Sequence, residues 1–132
     1  MIIKIPVSAG ELIDKITILE IKSEFIAVKA KLSIISNELT LLNKEFVKIK
    51  RDFPKHVKKI DNSKKDLYNI NKKLWKIEDK LRELESNKNF KGEFIETARK
   101  VYILNDKRAK VKSKINKLFG STIGEIKSYT KY

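Results

Sequence analysis

Cysteine is missing from the 132-residue chain, which at once excludes disulfides, thiolate nucleophiles and cysteine-ligated zinc. Histidine is nearly missing: His56 stands alone, two residues after Pro54 and among lysines, and reads as a solvated turn residue rather than a general base. Nucleophile–histidine catalysis therefore has almost nothing to work with. The four glycines, at 10, 92, 120 and 124, are too scattered to cradle a phosphate. No apolar run approaches the ~18 residues of a membrane span. The opening MIIKIPVS is interrupted by Lys4 and Pro6 and is too short for a secretory signal, so a cytoplasmic protein with no membrane partner is expected.

Acidic residues are also scarce. Seventeen face 31 basic ones, giving a net charge of +14 and an isoelectric point near 9.9. Such a balance attracts nucleic acid and other polyanions. Lysine outnumbers arginine 27 to 4, however, and a dedicated phosphate binder more often uses the two-pronged guanidinium. A lysine-rich balance of this kind is also what A+T-rich coding would deposit on solvated faces, a reading that competes with a polyanion partner. A chain of this length forms one domain around one core.

What the sequence has in quantity is helical periodicity. Residues 1–8 read as a short extended arm, with Ile3, Ile5 and Val7 on one side. Ser8 and Glu11 then form a capping box flanked by Val7 and Leu12 in staple positions. From Ile18 through Phe25, Leu32, Leu39 and Phe46 to Phe53 the apolar residues recur at alternating spacings of three and four. The spacing predicts one helix over 9–52, ending before Pro54. A second helix over 57–87 carries Ile60, Leu67, Leu74 and Leu81. In antiparallel register Phe46 faces Leu67, Leu39 faces Leu74 and Leu32 faces Leu81. A third helix over 91–119 stops at Gly120, followed by a tail over 120–132. The expected architecture is all-α: a long helix and two shorter ones in an antiparallel, coiled-coil-like bundle.

A second stripe on the middle helix suggests how the third one docks. Folding back near 88–89 would set Trp75 against Tyr102, Glu78 against Arg99, and Asn71 against Asn105 or Asp106, a polar layer that fixes register. In this arrangement the first part of the long helix protrudes. Residues 12–26 carry Leu12, Ile13, Ile16, Ile18, Leu19, Ile21, Phe25 and Ile26, and a surface that apolar predicts a homodimer, the alternative being cover by the chain's own C-terminal tail or a differently angled third helix.

Three segments, VSAGELIDKITILEIKSE at 7–24, NKKLWKIEDKLRELE at 71–85 and FIETARKVYILNDKRAKVKSKIN from 94, resemble a small uncharacterised family of bacterial and phage proteins, a domain of unknown function. The resemblance implies a free-standing single domain and carries no activity to any residue.

Two functional patterns compete with a purely structural one. Glu11 and Asp14 form a Glu-x-x-Asp pair that, with Asp79 and Asp106, would suit a magnesium ion in a helical nucleotide phosphohydrolase. Lys107, Arg108, Lys110, Lys112, Lys114 and Lys117 form a run without one acidic residue, a surface for non-specific nucleic-acid binding. The sequence is expected to encode a non-catalytic, self-associating helical interaction module, with no cofactor or metal. Nucleic-acid binding and magnesium-dependent phosphate chemistry are the alternatives.

Overall fold

The computed structural model describes all 132 residues, and they form four α-helices and no strand. These are α1 (Ala9–Phe25), α2 (Lys29–Asp52), α3 (Val57–Ser86) and α4 (Gly92–Leu118), with a 3-10 turn at Pro54–His56 leading into α3. No helix is long and apolar enough to cross a membrane.

The largest departure from the periodicity is at residues 26–28. One helix over 9–52 is expected; the chain instead breaks there and folds α1 back against α2. Ile26 (φ −94°, ψ 126°) and Val28 (φ −69°, ψ 114°) are extended, a conformation that β-branched side chains accept readily. No glycine or proline marks the bend. Lys15 and Glu38 meet across the resulting hairpin at 2.5 Å.

The break makes α1 the central helix, with α2, α3 and α4 all packed on it. Its apolar residues point in every direction around the axis, the pattern of a helix enclosed on all sides. Ile13 and Ile16 are completely buried and Ile21 nearly so. With Ile60, Leu67, Ile115 and Phe46, Ile13 and Ile16 form the core. This corrects the expected dimer interface over 12–26: most of that apolar surface is already covered by the chain's own helices. Burial of each such side chain contributes about 1.5–3 kcal/mol.

The expected seam between α2 and α3 survives only at its turn end. Phe46 joins the core beside Leu67, Lys64 lies over the Phe46 ring, and Lys50 pairs with Asp61 at 2.9 Å. Farther along, α2 lies against α1 rather than α3. The edge-on contact of Phe53 with Phe119, 4.9 Å between centroids, ties the end of α2 to the end of α4.

Helix α4 runs antiparallel to both α3 and α1. It ends in a Schellman arrangement: Gly120 adopts φ 58°, its N–H donates to the Lys117 carbonyl, and that of Ser121 donates to the Asn116 carbonyl. The tail then returns along α4, held by Glu125 on Lys112 and by Tyr132 on Asp106. At the other end, residues 1–7 belong to no helix or strand and are exposed, Val7 included.

Candidate functional site

The densest polar cluster lies where α1 meets α3 and α4. Asp14, at 1% exposure, is its centre. Arg108 donates to it through Nε at 2.9 Å and Nη2 at 2.5 Å. Asn71 donates through Nδ2 at 2.8 Å to Asp14 Oδ1 and at 2.9 Å to Thr17 Oγ1, while the Thr17 hydroxyl donates to the Asp14 carbonyl at 2.7 Å. A carboxylate this deeply buried requires such a set of donors.

One helical turn farther along α4, Lys112 stands 2.6 Å from Glu11, 2.8 Å from Glu125 and 3.7 Å from Asp14. Burial pulls its ammonium toward neutrality, but the bonds to Glu11 and Glu125 and the Asp14 charge prevail and raise its pKa. Arg108 is raised as well, chiefly by its hydrogen bond to Asp14. A lysine held protonated this way is a poor base or nucleophile, because such roles need a lowered pKa. The network therefore spends its charges on itself and fixes the helices.

Gly10 explains how α1 and α4 come so close. Its N–H donates at 2.8 Å to Asn116 Oδ1, and a methyl on its Cα would stand 2.7 Å from the Lys112 carbonyl oxygen. Ser8 caps α1 by accepting from the Glu11 N–H at 3.2 Å. The return half of the expected box is absent, since the Glu11 carboxylate is turned to Lys112.

The expected register of α3 against α4 is corrected at every named contact. Trp75 stacks on Phe25 at 5.7 Å, and Tyr102 packs edge-on against Tyr132 at 5.1 Å. Glu78 pairs with Arg82 and Arg99 with Glu96, each within its own helix. Asn71 faces Asp14 rather than Asn105 or Asp106. The only side-chain hydrogen bond of Asn105 is to Arg108, at 3.5 Å, and Asp106 accepts from the Tyr132 hydroxyl at 2.5 Å.

The four acidic residues proposed for magnesium are likewise dispersed. Glu11 and Asp14 share the Lys112 cluster, Asp79 is exposed on α3, and Asp106 is engaged by the tail. No group of three or more acidic or histidine side chains gathers in a metal-binding arrangement. The magnesium cradle of the phosphohydrolase reading has no counterpart.

The six-residue basic run of α4 splits by helical phase. Arg108 and Lys112 turn inward to the network, whereas Lys107, Lys110, Lys114 and Lys117 stay exposed with no acidic side chain at ion-pair distance. Lys110, Lys114 and Lys117 line a groove of 760 Å³ between α4 and the tail, joined by Lys127 and Tyr129. The two carboxylates beside it are already engaged, Asp106 by Tyr132 and Glu125 by Lys112.

The model of DUF6165, a family of unknown function, matches residues 3–132. The chain belongs to that family. No curated protein and no solved structure matches it. The DUF6165 match takes in all four helices, and so both the buried network and the exposed lysine stripe.

Proposed function

We propose that the chain is a non-catalytic helical interaction module that binds nucleic acid along the outer face of α4. The observation that carries this reading is the separation of charges on one helix. Arg108 and Lys112 are consumed internally, while Lys107, Lys110, Lys114 and Lys117 recur at spacings of three, four and three on the opposite face without acidic partners. Such a row follows a phosphate backbone, and Tyr129, exposed at the edge of the same groove, offers a ring on which a base can stack. Nothing on this face reads base edges, so binding is expected to be independent of sequence.

Fluorescence anisotropy with labelled single- and double-stranded oligonucleotides over a range of KCl concentrations tests the reading. Four phosphate contacts give a log–log salt slope of roughly −3 to −4. Reversing Lys107, Lys110, Lys114 and Lys117 to glutamate should abolish binding. Reversing four exposed lysines around the 3-10 turn and the start of α3, Lys55, Lys58, Lys59 and Lys65, makes the same change in net charge and should leave most of it. Equal losses from the two variants would reduce the effect to bulk charge and defeat the proposal.

A further inference from the structure

The buried network leaves one of its members half used. Both amide hydrogens of Asn71 are spent, on Asp14 and on Thr17, which fixes the direction of the amide. Its Oδ1 accepts nothing from the chain, although the residue is only 5% exposed. That oxygen is not one of the fully enclosed polar atoms lacking a partner, which are Ser63 Oγ and Asn116 Nδ2. Asn71 lines a groove of 430 Å³ between α1, α3 and α4, and the groove is its route to a donor. This volume lies within the range of about 300–1,000 Å³ typical of small-molecule sites.

The rest of the lining defines what fits. Ile18, Ile21 and Leu74 form an apolar floor, and Trp75, with Phe25 stacked on it, forms one wall. Arg108 commits Nε and Nη2 to Asp14, which leaves Nη1, only loosely held by Asn105, as a donor at the groove. The Asn105 amide is a second donor, and the Asp79 carboxylate, which forms no ion pair, is a second acceptor.

Charge decides between ligand classes. Arg108 is neutralised by Asp14 and Arg82 by Glu78, so no free cation awaits an anion. Asp79 is the one unpaired charge, and it is exposed. What remains is one exposed carboxylate beside amide and guanidinium donors whose charge is balanced within the chain, above an apolar floor with an aromatic wall. Hydroxyl groups, which donate and accept together, match such a set. We propose that this groove, distinct from the lysine stripe, binds a neutral polyhydroxylated ligand, a sugar unit, with hydroxyls on Asn71, Asn105, Arg108 and Asp79 and its C–H face against Trp75.

Trp75 is the only tryptophan, so its emission reports on the groove directly. The full chain is titrated with glucose, galactose, N-acetylglucosamine and maltose, and in parallel with putrescine and inorganic phosphate. Chemical shifts of the Asn71 and Asn105 side-chain amides are followed in the same samples. At least one sugar should saturate both signals with roughly millimolar affinity. Asp79→Asn and Asn105→Ala should each weaken it about three- to tenfold, the loss of one hydrogen bond, at an unchanged melting temperature. Saturation by putrescine or phosphate with the sugars silent would overturn the assignment. So would no response to any of the four sugars at about a hundred times that millimolar range.

Discussion

Arg108 of α4 closes on Asp14 of α1 as a two-pronged fork, Nε to Oδ1 at 2.9 Å and Nη2 to Oδ2 at 2.5 Å, across 94 residues of sequence. The pair joins the start of the chain to its last helix. Removing the guanidinium leaves an enclosed carboxylate with Asn71 and a more distant Lys112. Arg108→Ala is therefore expected to cost about 3 kcal/mol in urea unfolding. Arg108→Lys should restore only part, because an ammonium cannot grip both oxygens. The double variant Asp14→Ala/Arg108→Ala should lose less than the sum of the single ones, by about 1 kcal/mol or more. Strict additivity would mean that the fork does not form.

Gly10 supplies a second, steric test of the same junction. Glycine inside a helix is ordinarily a cost of about 0.5–1 kcal/mol relative to alanine. Here a methyl would meet the Lys112 carbonyl and the Asn116 side chain, each at 2.7 Å, and a backbone oxygen cannot step aside. Gly10→Ala should thus destabilise by about 1–3 kcal/mol despite its better propensity. Gly92→Ala, where nothing lies near, should be neutral or stabilising by up to about 1 kcal/mol. Thermal melts of the two variants should move in opposite directions or differ clearly in size.

How much of this was legible beforehand depends on the length scale. The Gly120 stop and the apolar rhythms of α2 and α3 are local, and the chain states them openly. The bend at 26–28 is not written locally, because the three-and-four spacing runs through Phe25, Val28 and Leu32 without a glycine or proline. The clue lay instead in α1, whose Leu12, Ile13, Ile16, Ile18 and Ile21 point all around the axis, a pattern that fits an enclosed helix better than a one-sided interface. The split among the α4 cations also had a signal. Thr97, Leu104, Arg108, Val111 and Ile115 share one helical phase, so Arg108 stands in an apolar seam, while Lys107, Lys110, Lys114 and Lys117 take the other side. That Asp14 is the partner, and that Asn71 is left with a free oxygen, depends on how three helices meet, which no spacing encodes.

The bend itself can be tested by cross-linking, and the absence of native cysteine makes the experiment clean. In a continuous helix, residues 15 and 38 would lie roughly 35 Å apart, at 1.5 Å per residue. In the hairpin their side chains touch. Lys15→Cys/Glu38→Cys, treated with a short bismaleimide at low protein concentration, should yield an internally linked monomer that migrates faster in denaturing gels. A linked dimer as the main product would restore the long helix and place its partner in a second copy.

The tail offers a test by titration. The Tyr132 hydroxyl donates to Asp106, and that bond, with slight desolvation and the Asp106 charge behind it, raises the phenol to about 12 from an ordinary 10.0. The folded-state pKa is the higher one, so the docked tail is favoured in full below pH 10 and loses that support as pH rises toward 12. Ultraviolet titration of tyrosinate should show a late phase to which Tyr132 contributes. Asp106→Asn removes the charge while retaining an acceptor, and should bring Tyr132 back toward the ordinary value. Tyr132→Phe should diminish the late phase by one phenol. A late phase of undiminished size in Tyr132→Phe would mean that the tail does not return along α4 in solution.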